Sequence, residues 1–101
     1  MRGRLSEAQP DSDGSIPLSL TRDEAIALFE FLARALDDEN GNRLREAIQH
    51  DGELWALTRL RGYLDRTLSE PFLADYGARV EAARQRLVEK CGPWPWDETE
   101  G

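Results

Sequence analysis

The chain has little of what reaction centres and disulfide scaffolds are built from: one cysteine, Cys91, and one histidine, His50, in 101 residues. A lone cysteine closes no internal disulfide. No residue set forms a recognisable nucleophile motif, cofactor site or nucleic-acid motif, so the chain is expected to be no enzyme and to need no cofactor. Basic excess is missing as well: the net charge is −7, which argues against phosphate-backbone binding and hence against nucleic acid. Arg59, Arg61 and Arg66 make only a local cluster, expected to cover apolar surface with their stems and to pair with Asp65 or Glu70. No apolar run approaches the roughly 20 residues of a membrane span, so no membrane partner is expected. The first fifteen residues are polar, without the apolar core of a signal peptide, which makes the cytoplasm the expected location.

What the chain does have is helix. Residues 20–36, LTRDEAIALFEFLARAL, are apolar from Ala25 onward except at Glu30 and Arg34. Thr21 and Glu24 carry the spacing of a capping box, Leu20 and Ala25 that of a hydrophobic staple, and Asp23 and Glu24 set negative charge at the positive helix end. Ala25, Phe29, Leu32 and Leu36 form one stripe and Leu28, Phe31 and Ala35 a second, leaving a polar line through Glu30 and Arg34. A helix with two apolar stripes requires neighbours on more than one side.

The rest supplies them. Ile16, Leu18 and Leu20 alternate around Pro17 and Ser19, a short extended segment with proline confining it to an edge. A polar break at residues 37–42 ends the first helix, with Asn40 and Gly41 suited to left-handed backbone angles. Between Arg43 and Leu68 the apolar face switches from Leu44, Ala47, Ile48 and Trp55 to Leu57, Leu60, Leu64 and Leu68. This predicts a short helix from Arg43, a break where Asp51 caps, and a longer helix to about Leu68. Ser69, Glu70 and Pro71 mark a turn, and Asp75 is the expected cap of a final helix. Tyr76, Val80, Ala83 and Leu87 make its seam, extended to Cys91, and Gly92 with Pro93 stops it.

The expected fold is therefore all-α: a small three-helix bundle with an additional short helix and a short extended N-terminal segment. Residues 1–15 read as a flexible tail, 16–92 as the helical domain and 93–101 as a Trp/Pro acidic C-terminal tail. The segments LTRDEAIALFEFL and LSEPFLADY, with Trp55 and the arginine-rich final helix, resemble those of a group of small uncharacterised bacterial helical proteins. The resemblance spans residues 16–88 and implies a similar helical domain with no assigned activity.

Single residues offer little chemistry. His50 at the predicted break is a candidate general base, but without a nucleophile it reads as a helix-end residue interacting with local carbonyls. Cys91 beside Lys90 has the setting of a reactive thiol, yet its place in the apolar seam predicts partial packing. Asp37, Asp38 and Glu39 lack the spacing of a metal loop, so no metal is expected. They form a solvated acidic surface suited to interaction.

The C-terminal tail is richer. Trp94 and Trp96 alternate with Pro93 and Pro95 ahead of Asp97, Glu98 and Glu100. Prolines restrict the segment and tryptophans carry large binding area. Such a tail suits a hydrophobic groove with a basic rim on a protein partner, although both indoles could instead fold back over the end of the bundle. The candidate partner-binding residues are Asp37, Asp38, Glu39, Trp94, Trp96, Asp97 and Glu98. Two functions fit, ahead of a small enzyme as a distant third: a non-catalytic acidic protein that masks a basic partner, as an immunity protein or antitoxin does, or a self-associating structural or regulatory module. The first predicts a monomer, the second a homodimer through the first helix.

Overall fold

A computed structural model describes residues 14–96, the side chain of Glu39 excepted, and gives the expected all-α bundle. Its helices are α1 (Arg22–Asp37), α2 (Asp51–Thr67) and α3 (Tyr76–Cys91), with 3-10 segments at Asp38–Leu44 and Glu70–Phe72. The start of α1 forms as its residues dictate: the Glu24 amide donates to Thr21 Oγ1 at 3.1 Å, and the Thr21 amide donates to Glu24 Oε1 at 2.8 Å. Two orphan donors are satisfied by each other's side chains.

The core runs along α1. Ala25, Ile26, Phe29, Leu32 and Ala35 are buried, joined by Leu64 and Leu68 from the α2 end and by Val80 and Ala83 from α3. Leu32 is fully covered, and α2 and α3 both pack on α1. The two apolar stripes are thus claimed within one chain. Phe31 is the exception, 43% exposed beneath the Arg34 guanidinium, so the second stripe turns partly outward. Glu30 is drawn inward instead, accepting from the Tyr76 hydroxyl at 3.0 Å. The polar line therefore does not simply face water: one of its two members is tied to α3.

Three expectations about local structure are corrected. The extra helix does not start at Arg43; it is a 3-10 segment beginning at Asp38, inside the expected polar break, followed by turns to the start of α2. Asn40 (φ 55°) and Gly41 (φ 84°) take left-handed angles there, and Gly41 is wedged near Leu54 and Leu36, where a Cβ would meet their methyls at 3.7 and 3.9 Å. Polar composition hid a backbone that packs. The cap of α2 is His50, whose Nδ1 accepts from the Gly52 amide at 2.9 Å, not Asp51. The α3 seam ends before Cys91, which is exposed. The segment leading into α1 makes no strand pairing, and Ile16 and Leu18 are 86% and 74% exposed. Among the described residues no helix is long and apolar enough to cross a membrane.

Candidate partner-binding surface

Helix α3 stops at Gly92, whose φ of 91° is open to a residue without Cβ and whose amide donates to the Val88 carbonyl at 2.7 Å. The chain then turns through Pro93 and Pro95 and presents Trp94 and Trp96, each 71% exposed. Their rings stand edge to face, 5.2 Å between centroids and 69° between planes, the arrangement favoured by the aromatic quadrupole. The indoles cover each other's edges and do not fold back to seal the bundle. Asp97 and Glu98 lie outside the described residues.

The acidic run at the far end of α1 is less free than its sequence implies. Asp37 accepts from Arg61 at 2.8 Å, and an Asp38 oxygen lies 4.0 Å from Arg43 Nε. Both carboxylates remain more than half exposed. Glu39 belongs to the 3-10 segment, its side chain outside the described set. Arg61 thus pairs with α1, not with Asp65, while Glu70 is taken by Arg22 at 2.7 Å. Beside Asp37, a cleft of about 340 Å³ opens between Leu36, Gly41, Leu54 and Trp55, the indole 67% exposed. In its wall Arg61 Nε is buried without an acceptor. The change of apolar face near Trp55 was the available sequence signal for this cleft.

The two parts of the predicted surface are not brought together. Asp23 at the start of α1 is bound by Arg86 near the end of α3, both hydrogen bonds 2.9 Å. The Trp tail therefore leaves the bundle near the N-terminal end of α1, whereas Asp37 and Asp38 are at its other end, roughly 24 Å away at 1.5 Å per residue.

Other charges are internal clamps. Arg22 holds Glu70, Arg86 holds Asp23 and Arg79 holds Asp75, the last at 2.8 Å. Each arginine keeps its carboxyl below the usual range. Asp75 thereby bonds Arg79 and does not cap α3 with its side chain. His50 is an acceptor at a helix start, not a residue serving carbonyls. Among the described residues no group of three or more His, Cys, Asp or Glu is placed to hold a metal ion. No family model, curated protein or solved structure matches the chain.

Proposed function

We propose that the protein is a non-catalytic, acidic protein-binding module that captures a basic partner through its C-terminal tail. One observation carries this reading: the exposed edge-to-face pair of Trp94 and Trp96, alternating with Pro93 and Pro95 and followed in sequence by Asp97 and Glu98. Paired indoles are rigid, desolvate readily and suit an apolar pocket, and following acids suit a basic rim. The net charge of −7 would speed capture of a cationic surface. Masking of a basic toxin, as by an immunity protein or antitoxin in the cytoplasm, is one instance of this class. Asp37 and Asp38, at the other end of α1, serve as a secondary contact within the same reading.

The test is quantitative capture from the native cell at low and high salt with the full chain and with Trp94→Ala/Trp96→Ala. The reading expects a specific partner, rich in lysine or arginine at its contact surface, to be lost with the indoles and weakened by salt. Equal recovery of every specific partner by both proteins would overturn it.

A further inference from the structure

A groove of about 450 Å³ lies between the chain entering α1 and the second half of α2. Its apolar wall is made by Ile16, Leu18, Leu60 and Leu64, and Tyr63 stands at its rim, 49% exposed. Tyr63 is flanked by two guanidinium groups, Arg59 at 5.8 Å and Arg66 at 5.3 Å from the ring centroid. Neither makes an ion pair with a carboxylate of the described residues; Arg59 spends a hydrogen bond on the Tyr63 hydroxyl at 3.4 Å. Arg22, the cation in the groove's lining, is held by Glu70, and Arg59 and Arg66 stand beside the groove on α2 through their contacts with Tyr63, so an acidic protein carries an apolar groove with two guanidinium groups next to it.

The chain holds the complementary element itself. Its tail presents two exposed indoles and then Asp97, Glu98 and Glu100, the order that would place rings in the groove and acids on Arg59 and Arg66. Groove and tail also share one end of the molecule. The groove reaches Thr21, Arg22 and Ala25 at the start of α1, and α3 is pinned to that same start by Arg86 on Asp23. Trp94 and Trp96 do not line the groove of their own chain. Two copies meeting at these ends about a two-fold axis would each point a tail at the other's groove, a reciprocal contact that closes at two subunits.

We propose that this groove is the docking site for the Trp94–Trp96 tail of a second copy, giving a tail-exchanged homodimer. Four indoles, each 71% exposed and of about 150–250 Å², together with the groove walls they cover, bury on the order of 1,000 Å², the lower bound of a specific interface. The exchange differs from a dimer built on the apolar face of α1, which the bundle already uses. It does not rest on capture of a foreign partner: a stronger ligand for the tail would open the dimer, and absence of any such ligand would leave it intact.

The experiment measures mass by light scattering across protein concentration for the full chain, Trp94→Ala/Trp96→Ala and Arg59→Glu/Arg66→Glu, with circular dichroism confirming that each is folded. The wild type passes from monomer to dimer, less readily at high salt, and each double variant raises the dimer dissociation constant at least about tenfold. Mixing the two variants restores one of the two reciprocal contacts, an intact tail on an intact groove, so a heterodimer forms more readily than either variant's homodimer. A wild type that stays monomeric, or a dimer indifferent to both variants, would overturn the proposal. So would tail-indole emission already blue-shifted where the protein is a monomer, which marks docking within one chain.

Discussion

Removing the Arg22 guanidinium tests the clamp between the start of α1 and the turn before α3. Glu70 has a side chain only 9% exposed and receives Arg22 Nε at 2.7 Å, while Arg22 itself is 59% exposed. The arginine's own desolvation is therefore small, and its loss leaves the carboxylate enclosed with only backbone donors. A hydrogen bond to a charged group is worth about 1.5–3 kcal/mol, and the solvent around Arg22 argues for the middle of that range, ~2 kcal/mol. For a domain of this size ~2 kcal/mol lowers Tm by roughly 8–16 °C. The deficit should depend on pH. Arg22 holds the Glu70 carboxyl below its usual 4.5, so the clamp's stabilisation is present above about pH 4.5 and is lost as pH falls through the depressed native value. Urea melts of wild type and Arg22→Ala at pH 7 and pH 3 should show a gap that narrows at the lower pH. A gap of equal size at both, or none at pH 7, would refute an ionic clamp at Glu70.

Three further outcomes follow from the packing. Leu32→Ala, at the fully buried centre of α1, should cost about 3–4 kcal/mol in chemical denaturation, against under about 1 kcal/mol for Phe31→Ala one residue away; equal losses would contradict the assigned face. His50→Ala removes the acceptor for the Gly52 amide and should cost about 1 kcal/mol, with His50→Asn retaining most of the stability because asparagine also caps; the two melts should differ in that order. Burial, aided by the Glu30 acceptor, pushes the Tyr76 hydroxyl up to about 12. The unfolded chain releases this proton near 10 and the folded chain later, so stability should fall between about pH 10 and 12. Tyr76→Phe should lose that part of the alkaline decline in a pH-dependent melt.

The elements most legible in the sequence were those governed by neighbours along the chain. The Thr21–Glu24 box, the periodic apolar residues of α1 and the Gly92–Pro93 stop each depend on spacing within one or two turns, and each was found. Where several local solutions compete, the outcome differed. Asp51 and His50 can both accept an amide, and the chain uses histidine because its extended backbone (φ −156°, ψ 144°) places it outside the first turn. Polar residues at 38–42 read as an open loop, yet Gly41 lies against Leu36 and Leu54. The candidate binding surface divides in the same way: the composition of Trp94, Trp96 and the acids after them is plain in the sequence, but whether the indoles face solvent or the bundle is a question of competing contacts.

The sequence by itself determined that three helices form, where the first begins and the last ends, and the main apolar stripe of the first, because those properties are set by hydrogen bonds and side-chain spacing inside a single element. Only the tertiary structure decided the pairings. Arg22 finds Glu70 and Arg86 finds Asp23 across 48 and 63 positions of chain, Phe31 is turned outward while Glu30 is drawn to Tyr76, and the tryptophan tail emerges beside one end of α1 with Asp37 and Asp38 at the other. Many arginines and carboxylates are chemically interchangeable partners. The packing of α2 and α3 on α1 selects among them by distance, which no local pattern encodes.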